Sequence, residues 1–116
     1  MNRSLESMQE HRLHFRQVVL RRIEFVGAGG ERRAGICRDL SLGGAQIETA
    51  EPISFGERVT VFLELEGMDA ETPLAGVVRW TKPNLMGIQF DLYGVRVTHA
   101  LLRTLTKAPV GDLKIE

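Results

Sequence analysis

The segment from Arg58 to Glu66 alternates between apolar and other side chains, and this pattern constrains the fold more than any other feature of the chain. Its regularly spaced apolar residues are Val59, Val61, Leu63 and Leu65. A period of two belongs to a β-strand that buries one face and exposes the other, as in antiparallel sheets. The segment therefore predicts a half-buried antiparallel strand.

Five further segments have strand character, because they are rich in β-branched and aromatic residues or alternate in the same way. They are Gln17–Val26, Arg32–Asp39, Ala45–Thr49, Leu74–Trp80 and Met86–Leu92. Glycine- and proline-containing breaks separate them, notably residues 27–30 and the stretch around Pro52 and Gly56. Short strands at such spacing favour a barrel or a sandwich, and closure of the sheet removes the exposed edges that invite aggregation.

Near the C-terminus the apolar period changes from two to about 3.6 residues. The apolar stripe consists of Val97, Leu101, Leu102 and Leu105. We expect a helix that begins near Thr98, ends before Pro109, and packs on the barrel or fills one of its ends. The predicted fold class is all-β with a C-terminal helix.

Length and composition indicate one soluble domain. The chain has 116 residues, of which 43% are hydrophobic and 26% charged, and no apolar run approaches the ~20 residues of a membrane-spanning helix. The polar N-terminus lacks the apolar core of a secretory signal, so a cytoplasmic location without membrane insertion is expected. The single cysteine, Cys37, has no partner for a disulfide and is interpreted as a buried small hydrophobe.

Two arginines precede the first predicted strand in an RxxxR pattern, Arg12 and Arg16. They belong to an N-terminal third (residues 1–38) with eight arginines, four glutamates and no lysine. Arginine can fork two hydrogen bonds to a phosphate or to the O6/N7 edge of guanine, so the pair could clamp an anionic ligand. The alternative interpretation is a solvated, charged face.

A second pattern, DxSxxG, lies between the second and third predicted strands. Asp39 could accept hydrogen bonds from guanine, Ser41 could donate to a phosphate or base, and Gly44 could admit a ligand close to the backbone. The alternative is an ordinary turn, in which Asp39 and Ser41 bond to nearby backbone amides and the glycines permit the turn.

RxxxR followed by DxSxxG at a strand junction resembles the PilZ domain family. The segments Asp39–Ile47, Gly76–Trp80 and Met86–Phe90 also follow that family's pattern and order. The resemblance implies a six-stranded antiparallel β-barrel with a C-terminal helix. It divides the chain into a leader (residues 1–10), a PilZ domain (residues 11–108) and a tail (residues 109–116).

The resemblance also implies a function, that of a receptor for the bacterial second messenger cyclic di-GMP. The implied ligand-binding residues are Arg12, Arg16, Asp39, Ser41, Gly43 and Gly44. Ligand binding would order the N-terminal arginine segment and relay the signal to an unidentified effector protein, for instance in the control of motility or exopolysaccharide production. His11 stands where many family members carry a further arginine, which leaves one or two ligands per protomer open.

Other classes of function fit less well. A PilZ-like adaptor that acts through protein contacts without binding nucleotide is the main alternative. A nucleic-acid-binding barrel is disfavoured because residues 39–116 hold eleven acidic and seven basic residues, and because Trp80 and Phe90 are expected in the core. Neither a catalytic elbow nor metal-ligand spacing of histidines is present, so we expect no enzyme, metal or cofactor, and a monomer or weak homodimer.

Overall fold

The computed structural model describes the backbone of residues 17–114 and the side chains of residues 20–106. In this part of the chain the elements are β1 (Gln17–Gly27), β2 (Arg32–Leu40), β3 (Gly44–Glu48), β4 (Arg58–Leu63), β5 (Thr72–Lys82), β6 (Leu85–Phe90) and α1 (Val95–Lys114).

The six strands form a closed barrel in the order β1-β2-β3-β6-β5-β4. Every neighbouring pair is antiparallel, and closure comes from β1, which pairs with β2 on one side and with β4 on the other. Phe25, for example, lies opposite Arg33 of β2 and Val61 of β4. The predicted six-stranded antiparallel barrel with a C-terminal helix is therefore confirmed.

Alternate residues of each strand point into the barrel and form a single hydrophobic core. Those with no exposed surface include Phe25, Ile47, Val61, Val78 and Met86. Such a core is the main favourable term in folding, because it removes apolar surface from water.

Helix α1 packs its apolar stripe onto this core. Leu101 and Leu105 are fully buried, and the helix contacts β1. The hydroxyl of Thr104 donates to the carbonyl of Ala100 (2.7 Å) and accepts from the backbone N–H of Glu66 (2.8 Å). This buried hydroxyl therefore has a partner both as a donor and as an acceptor. Its bond with Glu66 fixes the helix against the loop after β4. Within residues 17–114 the single helix is not apolar enough over its length to cross a bilayer.

Several predicted boundaries differ from the structure. The helix begins at Val95 rather than Thr98 and runs through Pro109 to Lys114; a proline removes one helical hydrogen bond, which can bend a helix without ending it. Strand β4 ends at Leu63, because the chain turns at residues 65–68, where the N–H of Met68 bonds to the carbonyl of Leu65 (3.1 Å).

Strand β6 ends at Phe90, so the predicted extension of this strand to Leu92 is wrong. Asp91 is still attached to the sheet, because its N–H bonds to Ala75 O of β5 (2.8 Å). The chain leaves the sheet after it, and Leu92 is fully exposed. The ring of Tyr93 instead packs against Phe90, edge to face at 6.4 Å between centroids.

Cys37 is buried, as the sequence predicts, and burial raises the pKa of its thiol to about 12. The reactive species of cysteine is the thiolate. We therefore expect the folded protein to resist iodoacetamide at about pH 8 and to react promptly in concentrated urea, where the pKa returns to about 8.5. Mass spectrometry of the alkylated fraction measures both rates, and equal rates would contradict the buried position.

Phe25 and Phe55, which differ most in exposure among the phenylalanines of residues 20–106, provide a test of the core. Phe25→Ala should lower the free energy of unfolding by about 3–5 kcal/mol, because it leaves a cavity inside the barrel. Phe55 is 69% exposed, so Phe55→Ala should change it by no more than about 0.5 kcal/mol. Urea unfolding followed by circular dichroism measures both values; similar losses for the two variants would be inconsistent with this core.

Candidate functional site

Four neighbouring strands each contribute one residue to a row across the outer surface of the barrel. Asp39 of β2 pairs with Gln46 of β3, Gln46 pairs with Gly87 of β6, and Gly87 pairs with Trp80 of β5. Paired residues in a sheet project from the same face, and adjacent strands lie about 4.8 Å apart. The row, here called the outer row, therefore spans about 14 Å from the backbone of Asp39 to that of Trp80.

Two β-bulges create this row. In β2 the register shifts between Cys37 and Asp39, so Arg38 is an extra residue; in β5 it shifts between Val78 and Trp80, so Arg79 is extra. A bulge lets two successive residues escape strict alternation. Val78 therefore points inward while both Arg79 and Trp80 lie outside.

The expected core position of Trp80 is consequently wrong. Trp80 is half-buried on the outer surface, whereas Phe90 is buried, as predicted. The indole lies against Gly87, where an added Cβ would come within 2.2 Å of it. Gly87 thus provides the space that the tryptophan fills, and the Lys82 ammonium lies 5.5 Å from the centroid of its ring.

The loop of the DxSxxG motif forms a tight turn centred on Ser41. The Ser41 hydroxyl oxygen accepts hydrogen bonds from the N–H groups of Gly43 and Gly44, both at 3.2 Å, and the Ser41 N–H bonds to Gly44 O at 2.9 Å. The turn interpretation of Ser41 is therefore confirmed. This bonding fixes the conformation of the loop from within.

Gly44 is required by the barrel itself. A Cβ at this position would lie 2.0 Å from the carbonyl oxygen of Ile88 in β6, whereas one at Gly43 would meet nothing within 4 Å. The absent side chain of Gly44 thus allows the close approach of β3 and β6. At Gly43, unlike at Gly44, there is open space where a Cβ would lie.

Two contacts join this loop to the segment that leads into α1. The N–H of Phe90 donates to Gly43 O (2.8 Å), and the Tyr93 hydroxyl donates to Leu42 O. Burial raises the pKa of Tyr93, so its hydroxyl stays protonated and able to donate at neutral pH. The loop and the start of the helix are therefore directly connected.

The outer row and the loop together line a surface cavity of about 370 Å³. Its lining residues are Asp39, Ser41, Gly43, Gly44, Ala45, Gln46, Arg79, Trp80, Gly87, Ile88 and Gln89. The structure thus brings together all four predicted site residues of the DxSxxG motif. It adds Gln46, Arg79, Trp80, Gly87 and Gln89, which belong to no sequence motif. For Arg79 and Trp80 the reason is the bulge in β5, which is not visible as a pattern of residues.

The other two predicted site residues, Arg12 and Arg16, lie outside the described residues. The chain nevertheless enters the barrel beside the cavity, because Gln17 pairs with Leu40 and Val18 pairs with Asp39. Among the described side chains, those of residues 20–106, no group of three or more histidine, cysteine or acidic residues could hold a metal ion.

The sequence model of the PilZ domain family matches residues 10–108, which is most of the chain. The protein belongs to the PilZ domain family. The search of curated proteins found no match for this PilZ domain.

The PilZ domain of CeSA from a cellulose-synthesizing bacterium is 20% identical with a TM-score of 0.64, over 79% of this chain and 95% of that one. The PilZ domain of Escherichia coli YcgR, solved with c-di-GMP, is 16% identical with a TM-score of 0.67, over 87% and 93%. Bacillus subtilis MotI/DgrA, an inhibitor of motility, is 18% identical with a TM-score of 0.65, over 84% of this chain. The match covers 51% of MotI/DgrA. At these identities the likeness concerns the fold.

The packing of Trp80 on Gly87 can be tested directly, because Trp80 is the only tryptophan. Gly87→Ala should displace the indole into water, shift its fluorescence emission to longer wavelength and destabilise the fold by about 1–3 kcal/mol. Gly29→Ala is the matched control, since a Cβ there meets nothing within 4 Å. An unchanged emission spectrum in Gly87→Ala would mean that the ring does not lie on this strand.

Proposed function

We propose that this PilZ domain is a receptor for cyclic di-GMP and binds it in the cavity along the outer row. The observation that carries the proposal is the position of the DxSxxG loop: its Asp39, Ser41, Gly43 and Gly44 line one cavity together with Trp80. The c-di-GMP complex of the YcgR PilZ domain supports the choice of ligand.

The chemistry of the row suits a guanine dinucleotide. At one end, the Asp39 carboxylate is an acceptor for the N1–H and exocyclic amine of guanine. At the other end, the half-buried indole of Trp80 offers an aromatic face on which a base can stack, a contact worth about 1–3 kcal/mol. The turn bonds of Ser41 hold the loop in advance, so little conformational entropy is lost on binding.

The phosphates of the ligand need cations, and we assign these to Arg12 and Arg16. The support comes from the entry of the chain into β1: Gln17, the residue after Arg16, pairs with Leu40 of the DxSxxG segment. β1 thus begins beside the cavity, directly after the RxxxR pair in the sequence. Arginine forms strong, forked hydrogen bonds with phosphate, which fits this role.

Ordering of the arginine segment on the ligand is the proposed output, read by an effector protein. A segment that becomes ordered over a ligand is a recognised type of switch. The contacts of Phe90 and Tyr93 with the loop give a second path, from the cavity to the start of α1.

Calorimetric titration with cyclic di-GMP tests the proposal, with GTP and cyclic di-AMP as competitors. Each charge-assisted hydrogen bond contributes about 1.5–3 kcal/mol. Arg12→Ala and Arg16→Ala should therefore each weaken binding by about tenfold to a hundredfold.

Arg103→Ala serves as the control, because Arg103 is exposed on α1 and does not line the cavity. Selective binding that both motif variants weaken and the control retains would support the receptor. Absence of cyclic di-GMP binding by the unmodified protein would instead favour the adaptor that acts through protein contacts.

A further inference from the structure

We propose that Arg79 is a third ligand-binding arginine, outside both sequence motifs, and that its guanidinium pairs with the O6/N7 edge of a guanine. This inference rests on the proposed function. It assigns a specificity contact within the same cavity.

The bulge in β5 is the first reason. In a regular strand Arg79 and Trp80 would point to opposite faces, but the register shift between Val78 and Trp80 brings both to the outer surface. Both residues line the cavity. A cation and an aromatic face thus lie on consecutive residues beside one binding surface.

A comparison of the two bulge arginines gives the second reason. Arg38, the extra residue of β2, is ion-paired with Glu48 at 2.7 Å and does not line the cavity. Arg79, the extra residue of β5, lines the cavity and forms no salt bridge with a carboxylate of the described residues. Its charge is thus available to a ligand in the cavity.

The neighbouring indole favours a base edge over a phosphate as the partner. A guanine stacked on Trp80 would present its edge to the adjacent residue, and a planar guanidinium forks onto O6 and N7 in the plane of the base. The backbone of Asp39 lies about 14 Å from that of Trp80 along the row. The Asp39 carboxylate would accept from the N1–H edge of guanine, not from the O6/N7 edge that Arg79 would bind. The two side chains therefore read different edges of the dinucleotide without competing.

The test compares Arg79→Ala with Arg38→Ala by calorimetric titration of cyclic di-GMP. Arg79→Ala should weaken binding by about tenfold to a hundredfold, while Arg38→Ala should stay within about twofold, since it removes only an exposed ion pair. Both side chains are exposed, and urea unfolding checks that each variant is folded.

A cyclic di-GMP analogue with 7-deazaguanine bases, which lacks N7, identifies the atom that is contacted. It should bind the unmodified protein several-fold more weakly than cyclic di-GMP, and Arg79→Ala should bind both ligands equally. Arg79→Lys should recover little affinity, because an ammonium cannot fork onto the edge.

Four results would overturn the inference. Cyclic di-GMP binding that Arg79→Ala leaves unchanged would refute it while the receptor function stands. Full recovery in Arg79→Lys, or an equal loss for the analogue with and without Arg79, would move the contact to a phosphate. No binding by the unmodified protein would overturn both the inference and the proposed function.

Discussion

Pairing of β1 with both β2 and β4 is the constraint on which the rest of this molecule depends. Once the sheet is closed, each strand residue lies either inside the barrel or outside it, and the interior is filled by side chains such as Phe25, Val61 and Val78. Closure also satisfies the backbone groups along both edges of β1, so the sheet has no free edge among its six strands. Because the core lies inside the barrel, residues on the outer surface are not needed to form it and can be polar or aromatic.

The candidate site lies where bulges interrupt the inward–outward alternation of side chains along the strands. The bulges at Arg38 and Arg79 interrupt β2 and β5, the outermost strands of the outer row, while β3 and β6 between them pair in continuous register. Glycines complete the arrangement: Gly44 lets β3 approach β6, and Gly87 makes room for the indole. The cavity thus lies over two strands in regular register, with a bulged strand at each end.

Strand number, pairing direction and most of the core could be predicted from the sequence, because burial on one face imposes a period of two, as in Arg58–Leu63. The motif residues could be predicted because they are contiguous. Trp80 could not, because its direction depends on a one-residue register shift against β6 that leaves no local signal. The end of β6 could not be predicted for a related reason, because it depends on a tertiary contact, that of Tyr93 on Phe90, as much as on local preference.

The bulge in β5 also has a consequence for how such a surface can arise and be lost. One inserted residue, Arg79, carries Trp80 from the interior to the exterior. Deletion of that single codon would restore regular alternation, direct the indole into a filled interior and remove the arginine at the same time. A change of one residue in the length of β5 would therefore be enough to create or remove this part of the surface, with no substitution at any other position.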